Sequence, residues 1–291
     1  MKRRRFIQVV AATMAAGPAL AKAGAQTWHG HAMGAEVSLD LYGATQDDLD
    51  AAVAEIRAAE AHFSLYDPTS ELSRLNAEGG GTLSSPMAEL LGLCDVMHRE
   101  TGGLFDATVQ PVFAALARGE RPPWEGVGWD RVILNDNELA LAPGQALTLN
   151  GIAQGFATDR VRATLSARGL TRALVRVGEH AAIGGPFRLG IEDPIHGIVG
   201  TRTLTSGCLA TSSPGALRLG EHTHILHPRN RPPLWSTVSI EADSAAVADA
   251  ASTALCLAQL DEVRRITQAL HVRTTLVDAA GDVSLIHADK S

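Results

Sequence analysis

The chain of 291 residues is poor in aromatics, which make up 4% of it. It has only three cysteines, Cys94, Cys208 and Cys256, and no C-x-x-C spacing, so neither a zinc ribbon nor a dithiol redox pair is signalled. One disulfide plus a free thiol is open to an exported chain, but three buried, inert thiols are the expectation. No low-complexity tract occurs, and no internal repeat at a solenoid period. Excess positive charge is also lacking: the formal net charge is −7, which argues against nucleic acid as a partner. No apolar run is long enough to span a bilayer. What remains is an ordinary globular composition, 45% apolar and 20% charged, in a chain with ample length for a core.

The first 25 residues differ from the rest. MKRRRFIQ is basic, VVAATMAAGPALA is apolar and broken by Pro18, and Ala21-Lys22-Ala23 and Ala23-Gly24-Ala25 offer A-x-A cleavage sites. That order is the order of a secretory signal, and Arg3-Arg4-Arg5-Phe6-Ile7-Gln8 resembles a twin-arginine export signal. No cysteine follows the apolar run, so no stable membrane anchor is expected, and the mature chain is expected in the periplasm. The segment holds five basic residues and no acid, so its removal takes the charge from −7 to −12. On so acidic a body, a polyphosphate ligand needs a metal ion or backbone donors.

Alternation over residues 36–42 predicts a strand. Thr45 is placed to cap a helix running to about residue 62, with Leu49, Val53, Ile56 and Phe63 on one face. Ser85-Pro86 opens another helix that Gly102-Gly103 stops. Residues 131–149, broken by Asn135-Asp136-Asn137 and Pro143-Gly144, predict hairpins. A helix is predicted after Gly151 to about residue 168, then strands near 172–177, 187–192, 201–205 and 237–242. An alanine-rich helix over 245–260, a shorter helix to about 270 and a hairpin over 272–287 complete the chain. Without a regular βαβ period the fold class is α+β, antiparallel sheet with packed helices, as a single composite domain over 26–291.

Four stretches are able to carry chemistry. LNGIAQGFATD (149–159) sets a Gly-x-x-x-Gly turn before a helix, where backbone amides and the helix dipole suit a phosphate. Its spacing is not that of a P-loop, and neutral Gln154 stands where a lysine would meet the phosphate. Glycine turns also open helices that bind nothing. In AVADAASTALC (246–256), Asp249 and Thr253 share a helical face and can reach a hard cation such as Mg2+; a solvated helix edge explains them as well. FSLYDPTSELSRLN (63–76) sets Tyr66 near Ser70, Glu71, Arg74 and Asn76, either a loop that stacks on a ring or a plain inter-helix turn. HTHILHPRNRPP (222–233) gathers His222, His224 and His227, but no further ligand completes a zinc spacing.

In their order these stretches resemble one family, the ApbE proteins, FAD:protein FMN transferases, over nearly the whole mature chain. Met33-Gly34 resembles its opening Met-Gly-Thr, with Ala35 for the Thr. LYDPTSELSRLN (65–76) is similar to its flavin-loop motif and GGLFDATVQP (102–111) to G-x-F-D-P-T-V-x-P. LNGIAQGFATD resembles D-L-G-G-I-A-K-G-Y-A-V-D, and ADAASTAL (248–255) resembles the metal helix. FRLGIEDP (187–194), TSGC (205–208) and HILHPR (224–229) keep the family's order.

The resemblance implies a T-fold-like domain that takes FAD as substrate and uses Mg2+. It implies transfer of FMN to a Ser or Thr hydroxyl of an acceptor flavoprotein domain, with release of AMP. The acceptor would belong to an exported or membrane electron-transfer assembly. Asp249, Thr253 and the carbonyl of Ala153 match metal ligands, so Mg2+ would bring the pyrophosphate the charge that Gln154 lacks. Met33 and Tyr66 would lie near the isoalloxazine, with Ser70, Glu71, Asp106, Thr108, Gln154 and Ser206 around the ligand. His224 would assist proton removal from the acceptor, and Asp249 would act through the metal.

The chain departs from the family close to that chemistry. The lysine is Gln154, the acid that opens the same motif is Thr148, and its first glycine is Asn150. The N-L-G-G-N type motif is here Arg176-Val177-Gly178-Glu179-His180. In H-I-I-D-P-R-T-G the Asp is His227, the Thr is Asn230 and the Gly is Arg231. Arg229 and Arg231 are the candidates to restore the missing charge. Three readings follow: an FMN transferase, a non-catalytic FAD-binding accessory protein, and an FAD pyrophosphatase that uses water.

Overall fold

The structure is a computed structural model that describes residues 25–288. The export segment expected over 1–25 lies, but for Ala25, outside the described residues. Eight strands form one antiparallel sheet in which spatial order follows chain order. They are β1 (Ala25–Ala32), β2 (Ala35–Tyr42), β3 (Ala173–Val177), β4 (Glu179–Ile183), β5 (Gly207–Ser212), β6 (Thr237–Ala242), β7 (Arg273–Val277) and β8 (Val283–His287). Helices fill the excursions between strands, so the fold is α+β as expected. Between β2 and β3 come α1 (Gln46–Phe63), α2 (Glu71–Glu78), α3 (Ser85–Glu100), α4 (Gln110–Arg118) and α5 (Ala153–Ala167). Between β6 and β7 come α6 (Ala245–Leu255) and α7 (Leu260–Ala269).

Strand periodicity decides which side chains meet the helices. Leu39, Leu41, Val175 and Val177 join Ile56, Val161 and Leu255 in the main core. The alternate residues Leu174, Ala182 and Leu209 pack under a separate hairpin, Phe187–Asp193 with Gly197–Leu204. Local chemistry fixes the helix ends. Thr45 accepts a hydrogen bond from the Asp48 amide while the Asp48 carboxylate accepts one from the Thr45 amide, a reciprocal cap. Ser84 caps α3 with a proline in its first turn, and Gly102 and Gly103 follow its end at φ 64° and 80°.

Two features position the site. The β1–β2 hairpin turns on two residues, Met33 at φ 48° and Gly34 at φ 79°, the left-handed pair that a tight hairpin requires. The α5–α6 crossing needs Gly155, since a Cβ there would stand 2.3 Å from the Ala245 carbonyl oxygen. Asp159 then accepts hydrogen bonds from the Ser244 hydroxyl at 2.7 Å and the Ala246 amide at 3.0 Å, pinning the start of α6 to α5. The alanine-rich helix predicted over 245–260 accordingly stops at Leu255, and α7 begins anew after Gln259. All three cysteines are free and buried, and burial pushes their thiols far up.

Candidate functional site

A cavity of about 440 Å³ lies where the β1–β2 turn, the β3–β4 turn and the end of β5 meet the start of α5 and the middle of α6. Of the residues named from sequence, Met33, Tyr66, Asp106, Gln154, His224, Asp249 and Thr253 line it. Residues from six separate stretches of chain therefore converge on one space. Ala153, Ser70, Glu71, Thr108 and Ser206 do not line it, and the structure assigns most of them other work.

Asp249 is buried at 4% exposure, and its Oδ2 accepts a hydrogen bond from the Gly155 amide at 3.1 Å. The carboxylate of the metal helix thus caps the first turn of α5 and takes an amide that a phosphate would otherwise meet. Burial pushes its carboxyl up to about 7, against the pull of that amide. One turn on, Thr253 lies against the loop: a Cβ on Gly151 would come within 3.0 Å of the Thr253 hydroxyl. Gly151 and Gly155 are therefore glycines because α6 is close. Their spacing, read from sequence as a phosphate turn, is explained by helix packing. Ala153 is the first residue of α5, and its side chain is buried in the core.

Gln154 uses both ends of its amide. Nε2 donates to the Met33 carbonyl at 3.2 Å, and Oε1 lies over Gly178, where a Cβ would approach to 2.3 Å. It braces two hairpin turns against each other. Tyr66 stands at the mouth with half its surface open, its hydroxyl tied to the Asn150 side chain. That placement suits stacking on a planar ring.

The rest of the 63–76 motif builds the wall behind Tyr66. Ser70 caps α2 by accepting from the Ser73 amide and donates to the Ser64 carbonyl. Glu71 accepts from the Ser84 amide at 2.7 Å and hydroxyl at 2.6 Å, and pairs with His62 at 2.6 Å. Ser70 and Glu71, expected around the ligand, spend these polar atoms on the scaffold. Thr108 is likewise committed, donating to Asp106 and accepting from the Gly128 amide at 2.7 Å. Asp106 reaches the cavity wall, yet its carboxylate also takes the Thr108 and Trp129 amides. Ser206 is exposed in the link before β5, away from the cavity.

His224 lines the cavity, and burial lowers its pKa below the ordinary histidine range. Its Nδ1 lies 3.4 Å from the Leu217 carbonyl. A carbonyl only accepts, so a neutral ring that donates to Leu217 carries its hydrogen on Nδ1 and keeps Nε2 as the acceptor; the Pro214 carbonyl also lies against the ring. His227, buried at 5%, instead accepts from the Arg229 amide through Nδ1 at 2.9 Å.

Four residues of the cavity wall, Arg176, Gly178, Glu179 and His180, fall in the motif that sequence reading marked only as a departure. Glu179 is buried, its Oε2 accepting from the Thr211 amide at 3.2 Å. Burial, and then the nearby Asp249 charge, push its carboxyl well up. His180 is buried, with Nε2 unpartnered among the described residues; burial and then Arg176 bring its pKa down to about 4. Among the described residues Arg176 is the single Lys or Arg on the cavity wall, and its Nε is buried without a hydrogen-bond partner among them. Arg229 and Arg231, the sequence candidates for the missing charge, do not line the cavity. Burial is the missing signal: a swap within a glycine-rich motif shows a change of chemistry but not which way the new side chain faces.

The residues present fit a hard divalent cation. Asp249 offers a second carboxylate oxygen, and the hydroxyl of Thr253 lies 3.3 Å from that of Ser212 on the same wall. Among the described residues no three His, Cys, Asp or Glu gather as a ligand cluster. The Asp249 carboxylate and the Thr253 and Ser212 hydroxyls are oxygen donors of the kind that suits Mg2+, an ion that keeps waters and phosphate oxygens in its shell.

Comparison with known proteins agrees with this geometry. A Rhodobacter capsulatus protein named FAD:protein FMN transferase is 34% identical over 150 residues, 46% of this chain and 28% of that protein. The match thus spans under a third of that relative's length. The Thermotoga maritima ApbE protein superposes at TM-score 0.80 with 21% identity, covering 91% of this chain and 97% of the other. The Pseudomonas stutzeri flavinyl transferase ApbE, in its apo form, superposes at 0.77 with 22% identity over 90% and 95%. The Vibrio cholerae flavin transferase ApbE gives 0.76 with 19% identity over 91% and 98%. At these identities the structural likeness speaks to the fold. The ApbE family model matches residues 33–277, nearly all of the described chain, and the chain belongs to the ApbE family.

Proposed function

We propose that this protein is an FAD:protein FMN transferase that moves FMN from FAD to a Ser or Thr hydroxyl of an exported flavoprotein domain and releases AMP. The observation that carries the reading is the meeting of Tyr66, His224, Asp249 and Thr253 on one cavity. Tyr66 stacks on the isoalloxazine at the mouth. Asp249 and Thr253 hold Mg2+ beside the pyrophosphate. Bound there, Mg2+ supplies neutralisation of charge at the attacked phosphorus and on the AMP leaving group. His224, neutral near pH 7, accepts the acceptor hydroxyl proton at Nε2 as the oxygen attacks. Export to the periplasm through the twin-arginine-like segment belongs to the same reading, because it places the enzyme with extracytoplasmic acceptors.

Product analysis tests it. The mature chain from about Gln26 is incubated with FAD, Mg2+ and an acceptor domain from the same source, and the flavin is followed chromatographically. Transfer yields AMP in step with protein-bound flavin. Intact FAD after prolonged incubation contradicts the proposal and indicates a flavin-binding accessory protein; free FMN with AMP contradicts it in favour of a pyrophosphatase.

A further inference from the structure

Glu179 stands where the family motif carries a glycine, and the structure turns that exchange into chemistry. Glu179 and Asp249 are buried at 9% and 4% exposure, one on β4 and the other on α6, and line the same cavity. Each spends one oxygen on a backbone amide, of Thr211 and Gly155 respectively, and leaves the other without a hydrogen bond. Neither pairs with a lysine, arginine or histidine among the described residues. Arg176, on the same wall, is the strand partner of His180 and makes no ion pair with either carboxylate among the described residues. Two carboxylates brought together out of water without a counter-ion are costly, and a bound cation is the partner that offsets the cost. The same cavity wall carries Ser212 and Thr253, whose hydroxyls lie 3.3 Å apart, the latter next to a residue 151 that has no side chain.

We propose that Glu179 is a second carboxylate ligand on the cation held by Asp249, so that this chain binds Mg2+ or Mn2+ before FAD arrives. The inference deepens the proposed function and rests on it for the identity of the nucleotide. A single carboxylate and a hydroxyl hold Mg2+ weakly and need the pyrophosphate to complete the shell. A second carboxylate raises affinity through ligand charge.

The test measures Mn2+ binding to the EDTA-stripped mature protein without FAD, by calorimetry and by loss of the free-ion paramagnetic signal. Wild type is expected to take up one equivalent. Glu179→Gln is expected to weaken that binding about tenfold or more, and added FAD to recover much of it. Glu179→Cys supplies a readout that a merely structural role would not move: with Cd2+ it should show a thiolate–metal absorption band that wild type lacks. Equal Mn2+ affinity in wild type and Glu179→Gln overturns the inference, as does failure of wild type to bind without FAD. The two readings fail separately. Metal binding that depends on Glu179 in a protein that flavinylates nothing removes the transferase and keeps the ligand; normal transfer with binding indifferent to Glu179 does the reverse.

Discussion

At the scale of single residues, Gln154 shows how a change of charge is absorbed. A lysine there would bring a fixed positive charge, whereas the glutamine ties the Met33 turn to the Gly178 turn. The positive charge of the cavity wall lies instead on Arg176. Arg176→Gln is expected to raise KM for FAD about tenfold, or about 1.4 kcal/mol, with a smaller change in kcat, read from steady-state AMP release. Asp249 carries a different prediction. Burial raises its folded pKa to about 7, above the ordinary carboxylate range, so the native state holds the proton more tightly. Its stabilising share is full below about pH 4 and lost as pH rises through 7. In the metal-stripped protein, Asp249→Asn should therefore melt several degrees above wild type at pH 8 and close to it at pH 4, by differential scanning fluorimetry. Mg2+ should raise the melting temperature of wild type at pH 8 and not that of the variant. Legibility at this scale was uneven for a physical reason. Asp249, Thr253, Tyr66 and His224, singled out for their unusual spacing and company, do line one cavity. Ser70, Glu71 and Thr108 share those motifs but hold the scaffold, and sequence does not separate a residue that touches a ligand from one that positions it.

At the scale of elements, the clearest signals were caps and stops. Thr45, Ser84 with Pro86, and Gly102-Gly103 bound α1 and α3 within a residue or so of expectation. Strands β4 and β5 were missed because EHAAI and GCLATS lie in a covered sheet and lack polar alternation. The short helix α2 hid in a run of polar residues that serve as cap and strut. Hairpins predicted over 131–149 reduce to Ile133–Asn135 with Glu138–Ala140, and the third strand of that small sheet is the distant Gly80–Thr82. The α5–α6 crossing is the element on which the site depends. Gly155→Ala would press a methyl against the Ala245 carbonyl, at an expected cost of about 1–3 kcal/mol. It would also move Asp249 off the Gly155 amide. Denaturant unfolding should show the loss of stability, and Mn2+ binding should weaken in parallel; unchanged binding would mean that the crossing does not set the metal ligands.

At the scale of the whole molecule, one eight-stranded meander carries long helical excursions, and the cavity forms where the strand turns meet the helices. Class and family were legible because the ordered motifs run the length of the sheet. The cavity's charge pattern was not, because Arg176, Glu179 and His180 are neighbours in sequence yet do different work: Glu179 takes the Thr211 amide on the cavity wall that Asp249 also lines, while Arg176 pairs across the hairpin with His180. The account stands or falls on whether this altered cavity still performs transfer. Intact mass of the acceptor domain, measured after incubation with the mature protein and FAD, with Mg2+ or with EDTA, tests this most directly. The account predicts a gain of one FMN with Mg2+ and none with EDTA, and no gain with the Asp249→Asn variant. An acceptor of unchanged mass beside protein-bound, intact FAD would contradict it.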